Sequence, residues 1–366
     1  GAAREGRGRG GGGRGGGRNG GGGGGVSGVV TMASEGPAAG IGLGAGGGAD
    51  GRVDRRLPGA YVAAAGAPGM RVIVHGGAGG APDDPEPRQA VLDEAAARGA
   101  ERAAPLDAVE SAVGVLESDR RFNAGVGGAV QSDGVVRTDA GVMTSDRAVG
   151  AACSMPGVEH AASVARVVCE ETPHVFVSGD HAVDLAAEFG VETGVDLLTD
   201  ETRERYDAED PPRGGPREHL DWLASRFGSG DDQAGGGSKD KAPDHDTVGA
   251  VATDGESFAA VTSTGGRSFA LAGRVGDVPQ VGSGFFCTEA GGASATGAGE
   301  DIARVTLSRR AVDFLDDGLD AQAAADRAIA EFEAVTGSGA GVIVLGDETA
   351  GSAFNTEGMQ TSVAQE

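Results

Sequence analysis

From Met70 onward, short apolar runs alternate with amphipathic stretches in a rhythm that predicts strands and helices in turn. "RVIVH" (71–75) runs into a glycine-rich turn, "HGGAGG", and predicts a strand followed by a tight loop. "EPRQAVLDEAAARGAERA" predicts a helix. "PLDAVESAVGVLESD" predicts a better one, because Leu106, Val109, Val113 and Leu116 recur at spacings of three and four on one face. "VVRTDAGVM" and "AVGAACSM" predict strands, "EHAASVARVVCEE" a helix, and "HVFVS" and "DHAVDLAAEFG" continue the alternation. Further on, "TVGAVAT" and "SFAAVTST" predict a strand pair, "EDIARVTLSRRAVDFLDDG" and "LDAQAAADRAIAEFEAV" two helices, and "GVIVL" a closing strand. Strands grouped in pairs with helices grouped beside them predict an α+β layered fold rather than a doubly wound sheet.

Two stretches break the rhythm. Residues 1–30 are glycine and arginine of low complexity, and glycine at that density buries too little apolar surface to offset its ordering entropy. The extension 1–69 is therefore expected to have no fold, and to be a flexible tail or a stretch outside the native reading frame, since Met70 directly precedes the first convincing strand. The functional alternative is a non-enzymatic protein whose Arg-Gly segment touches RNA. Residues 207–246, with Pro211, Pro212, Pro216 and "GSGDDQAGGGSKDKAPD", predict a surface linker in which only "EHLDWLASRF" could hold a helix.

The 366 residues, 39% of them hydrophobic, suffice for a sizeable core. Acidic residues number 55 against 30 basic, and the only lysines are Lys239 and Lys241. Residues 1–69 carry a net charge of +4, which leaves −29 on the remainder. Such a body repels nucleic acid and anionic membranes, so neither is expected as a partner, and its composition points to work in concentrated salt. Cys153, Cys169 and Cys287 have no metal-ligand spacing and read as small buried hydrophobes of a reducing compartment. No apolar run approaches a membrane span. Arg55 and Arg56 precede "LPGAYVAAAGAPG", too short and too broken by Pro58, Gly59 and Gly66 for an export signal, so a cytoplasmic location is expected.

The glycine-rich turns at 42–48 and 75–80 lack the strand, GxGxxG and helix context of a dinucleotide cradle. All six histidines precede Thr247, and neither a GxSxG elbow nor an HExxH helix occurs. What remains is a dense set of Thr, Gly, Arg and Asp in the last third: Thr247, "TSTGG" (262–266), "GRVGD" (273–277), "ATGAGE" (295–300) and "FNTEGM" (354–359). A threonine hydroxyl is a poor nucleophile unless a base takes its proton. Cleavage of the bond before Thr247 would free an α-amine with a pKa of about 7.7 to 8.0, a base on the same residue. Without that company, Thr247 would read as a β-branched strand starter.

"HGGAG", "FNAGVG" (122–127), "DTVGAVA" (246–252), "TSTGG", "GRVGD" and "FNTEGM", in this order, resemble the plant-type L-asparaginase and isoaspartyl peptidase family, relatives of glycosylasparaginase among the N-terminal nucleophile hydrolases. The resemblance runs from about Met70 to Ser362. It implies a four-layer αββα sandwich, made as one precursor and cut between Asp246 and Thr247 into an α subunit (70–246) and a β subunit (247–366) that assemble as (αβ)2. It implies hydrolysis of L-asparagine to L-aspartate and ammonia, and of β-aspartyl dipeptides, with no cofactor. The alternative within the family is a glycosylasparaginase, with a sugar on the leaving nitrogen.

Residue by residue, the resemblance implies Thr247 as the nucleophile and Thr264 as the hydroxyl that tunes it. Arg274 would clamp the substrate α-carboxylate and Asp277 its α-ammonium, a pairing that also follows from the bidentate match of guanidinium and carboxylate. Thr296 and Gly297 match the oxyanion-hole pair, Gly299 would line the pocket, and Asn123 would help hold the nucleophile. Ala298 departs from the polar residue expected between the two glycines. Asp246 would strain or polarise the scissile bond, or be no more than a solvated linker end. The loop 116–125 matches a segment that wraps Na+ or K+ with backbone carbonyls; no other metal is implied.

Overall fold

The computed structural model describes residues 69–82, 84–227 and 247–366, and the backbone alone of residues 61–62. β2 (Arg71–Gly79) shows how the sequence pattern becomes architecture. It is buried along its whole length, so the alternation of its side chains decides which layer each one meets rather than whether it meets water. Val72 and Val74 join a core with α1 (Pro85–Ala100) and α2 (Pro105–Glu117), whereas Ile73 joins a second core with strands of another sheet.

The first sheet has the order β12-β2-β6-β7-β3-β4-β5, built from β3 (Arg137–Thr144), β4 (Val149–Pro156), β5 (Phe176–Ser178), β6 (Val248–Thr253), β7 (Phe258–Thr264) and β12 (Gly358–Gln365) around β2. The second has the order β1-β11-β10-β9-β8, from β1 (Tyr61–Val62), β8 (Phe285–Thr288), β9 (Gly291–Gly297), β10 (Ala340–Gly346) and β11 (Thr349–Phe354). β2, β6 and β7 lie against β9 and β10. Helices α1, α2 and α3 (Ala161–Glu171) pack on the seven-stranded sheet, and α8 (Leu307–Asp316) and α9 (Ala321–Thr336) on the five-stranded one.

Period-two alternation carries through the central strands. Val248, Ala250 and Ala252 of β6, Ala259 and Val261 of β7, and Ala140 and Val142 of β3 belong to the core under α1 to α3. Val251, Ala260 and Met143 belong to the core between the sheets. Thr247, Thr264 and Asp139 share the parity of this second set, so the same alternation turns them toward the space between the sheets.

Several elements differ from expectation. The helix expected over 300–318 is two, α7 (Gly299–Val305) and α8, because Thr306 takes a left-handed conformation (φ 53°) that ends one and starts the other. β8, β9, β11 and β12 were not expected, and "GVIVL" does not close the chain: β11 and β12 follow it, and β12 returns to pair with β2. The extension 1–69 is not wholly without structure, since Tyr61 and Val62 pair antiparallel with Ala350 and Thr349. Within the linker expected over 207–246, α6 (Pro216–Phe227) covers the stretch allowed a helix, and α5 (Asp200–Glu209) reaches into its start. The rest of both stretches lies outside the described residues, apart from Gly69, Asp210 and the short connection into α6. Among the described residues no helix is long and apolar enough to cross a membrane.

Candidate active site

Thr247 stands directly before β6, whose register pairs Val248 with Ser263. One step further along that ladder brings Thr247 opposite Thr264. The Thr247 hydroxyl donates to Thr264 Oγ1 over 3.5 Å, long for such a pair, and both residues are buried. Thr264 in turn donates to the Asn123 carbonyl (3.4 Å) and accepts from the Gly266 N–H (3.1 Å). With its own proton directed at a backbone carbonyl, Thr264 meets Thr247 as an acceptor.

Both polar ends of the Asn123 side chain bond backbone. The amide donates to the Gly266 carbonyl (2.7 Å) and Oδ1 accepts from the Ala129 N–H (2.8 Å), fastening the turn after Thr264. The Asn123 carbonyl in turn accepts from Thr264, the partner of Thr247. Behind the same turn, the buried Glu117 carboxylate accepts from Ser263 Oγ (2.6 Å) and the Ala162 N–H (3.0 Å), tying α2 to β7.

On the facing sheet, Thr296 Oγ1 accepts from the Ala78 N–H of "HGGAG" at 3.3 Å. Gly297 has φ 136°, and a Cβ there would lie 2.6 Å from the Ala340 Cα, so this end of β9 requires glycine. His75 is fully buried, with Nε2 2.9 Å from Ser294 Oγ. Burial and the charge of Arg88 push its pKa down to about 3, which keeps the ring neutral and unable to serve as an acid near neutral pH.

Arg274 and Asp277 lie in the connection from β7 to β8. Gln131 pins it, accepting from the Gly273 N–H (2.9 Å) and donating to the Arg274 carbonyl (3.3 Å). Asp277 is buried and its Oδ2 has no hydrogen-bond partner among the described residues. Burial raises its pKa to about 7, against the opposing pull of Arg274. A Cβ built on Gly299 would lie 2.6 Å from Asp277 Oδ1 and 2.9 Å from Arg274 Nη2, so these three residues converge. Ala298 caps α7 and separates Gly299 from Gly297, which joins the arginine and aspartate to the Thr296 end of β9.

Asp139 was missed in the sequence. It pairs with Thr264 across the ladder and is buried, its Oδ1 accepting from the Ser154 N–H (2.6 Å) at a bulge in β4 where Ser154 has φ 56°. Burial raises its pKa to about 7, opposed by the Ser154 bond and by Arg274. A signal was present: in "RTDAGVM" the acid falls in step with Gly141 and Met143, a charged residue on a buried strand face. Asp246 lies outside the described residues. Among the described residues no three His, Cys, Asp or Glu side chains group as metal ligands.

A family model described as Asparaginase matches residues 69–366. The chain belongs to the asparaginase family. It is similar to a plant-type L-asparaginase of Pyrococcus abyssi, 38% identical over 269 residues that cover 71% of this chain and 84% of that protein. A plant-type L-asparaginase of Pyrobaculum calidifontis is 38% identical over 269 residues, 70% and 84% of the two chains. An isoaspartyl peptidase/L-asparaginase of Macaca fascicularis is 33% identical over 285 residues, 75% and 86% of the two. The asparaginase family match includes every described residue of the site, from His75 to Gly299.

Proposed function

We propose that the chain is an L-asparaginase and isoaspartyl peptidase that matures by cutting itself before Thr247. The observation that carries the reading is the buried Thr247 hydroxyl at the head of β6, hydrogen-bonded to a Thr264 oriented to accept from it. In maturation Thr247 Oγ1 attacks the Asp246 carbonyl carbon, the peptide nitrogen leaves as the new α-amine, and water hydrolyses the resulting ester. In turnover that amine takes the hydroxyl proton as Oγ1 attacks the substrate's side-chain amide. Ammonia or an amino acid leaves with a proton, and water releases aspartate from the acyl-enzyme. The Thr296 hydroxyl and the Gly297 N–H stabilise the oxyanion. Arg274 holds the α-carboxylate and Asp277 the α-ammonium, a donor for the Oδ2 that has no partner among the described residues.

The reading includes a four-layer αββα sandwich, supported by the helices on each sheet and the contact of the sheets with one another. An (αβ)2 assembly is supported by the large apolar side chains Val175, Phe176 and Phe189 left exposed around β5 and at the end of α4 (Asp180–Glu188). The loop 116–125 would wrap Na+ or K+ with backbone carbonyls, hard donors of the required kind. Thr247→Ala tests the central role. It is expected to remain one chain and to lose on the order of 10⁴-fold or more in asparagine turnover, while Thr247→Ser keeps part of both. An alanine variant that still hydrolyses asparagine refutes the reading.

A further inference from the structure

Glu300 takes no part in the proposed chemistry, yet it makes a two-point ion pair with Arg274. The contacts run from Nε to Oε1 and from Nη2 to Oε2, each 2.8 Å. That occupies the side edge of the guanidinium and leaves the end edge, Nη1 with the second Nη2 hydrogen, without a partner among the described residues. Arg274 Nη2 and Asp277 Oδ1 both border the space where a Cβ on Gly299 would sit. The two groups stand within a few ångströms, but no ion pair joins them, and Asp277 Oδ2 has no partner among the described residues. A guanidinium so close to a buried carboxylate would close on it unless held elsewhere, because an unpaired buried charge is costly. That collapse would consume both ends of an amino-acid clamp at once.

We infer that Glu300 is a positioning residue, gripping Arg274 by its side edge so that the guanidinium stays off Asp277 and presents its end edge to the substrate α-carboxylate. The inference rests on the reading of Arg274 and Asp277 as that clamp. Position suits this role, since the Glu300 side chain is 50% exposed against 19% for Arg274, and the glutamate thus holds the arginine from the solvent side, away from the pocket. Charge suits it as well. Burial works against the Glu300 carboxylate, but the hydrogen bonds and charge of Arg274 outweigh it and bring its pKa to about 2, so the grip persists across the neutral range. The device also accounts for Gly299, where any side chain would wedge between the two groups.

The test is steady-state kinetics on the full chain with asparagine, comparing Glu300→Gln, Glu300→Asp and Arg274→Ala. Glu300→Gln is expected to raise KM roughly tenfold while kcat stays within about twofold, since a charge-assisted bond that orients binding is lost and the chemistry is untouched. Glu300→Asp, which keeps the charge on a shorter stem, is expected to fall between wild type and Glu300→Gln, and a crystal structure of Glu300→Gln to show Arg274 ion-paired with Asp277. Unchanged KM in both glutamate variants would make the pair a surface contact and overturn the inference. A lowered KM would make Glu300 a competitor of the substrate and overturn it too, as would a fall in kcat alone. Should Glu300→Gln not fold, the aspartate variant decides by the same KM. An Arg274→Ala variant with unchanged KM refutes the clamp itself, whereas a large rise there beside no effect at Glu300 refutes only the positioning role.

Discussion

Asp277 carries the clearest consequence for pH. Its burial favours the proton, so the carboxyl of the free enzyme titrates near 7 instead of in the usual carboxylate range. Binding an α-ammonium needs the ionised form. KM for asparagine is therefore expected to climb as pH falls below about 7, by up to about tenfold per unit, while kcat follows the α-amine of Thr247 instead. Asp277→Asn is expected to raise KM at pH 8 on the order of a hundredfold and to flatten that limb, because a buried charge partner is lost. A wild-type KM that is level from pH 5 to pH 8 contradicts the assignment. Asp139 is likewise pushed up to about 7 by burial, and when ionised its charge adds to the upward push on Asp277. That Thr247 would stand beside Thr264, and Arg274 near Asp277, could be expected from the sequence because both pairs fall in ordered motifs that resemble the family's. Asp139 and Glu300 were not legible there, since an acid beside a glycine or at a helix start has many ordinary uses, and only the fold brings both within reach of Arg274.

At the scale of elements, caps and turns hold the layers that carry the site. α9 begins at Asp320, whose side chain accepts from the Ala323 N–H (2.8 Å), and ends at Gly337 in the left-handed conformation. Asp320→Ala is expected to cost about 1 kcal/mol of stability by denaturant unfolding, with KM unchanged, since α9 packs on β10 and β11 away from Thr247. A loss in KM without a loss in stability would contradict that separation. The helices of the first half were legible from their apolar spacing, and β2, β6 and β7 from compact apolar runs. β9 was not: "GGASATG" is buried throughout, yet holds no large apolar side chain, because its small residues let the two sheets approach. The break at Thr306 was hidden for a related reason, as a β-branched residue rarely adopts positive φ and gives no local warning when tertiary packing imposes it.

Across the whole molecule, charge and the proposed cleavage carry the expectations. An excess of acid in a chain with two lysines predicts that screening matters, since self-repulsion of the compact state falls as salt rises. The folded fraction is expected to be higher in molar KCl than in dilute buffer, by circular dichroism through a thermal ramp. Equal stability in both would mean that the acidic surface is neutral to folding. Maturation is the deeper property, because every catalytic assignment depends on a free amine at Thr247. Intact mass spectrometry of the purified full chain, incubated in molar KCl, tests this most directly. Two polypeptides, one beginning at Thr247 and extending to Glu366, are expected. A chain that stays whole while turning over asparagine would contradict the account, because Thr247 would then lack its base.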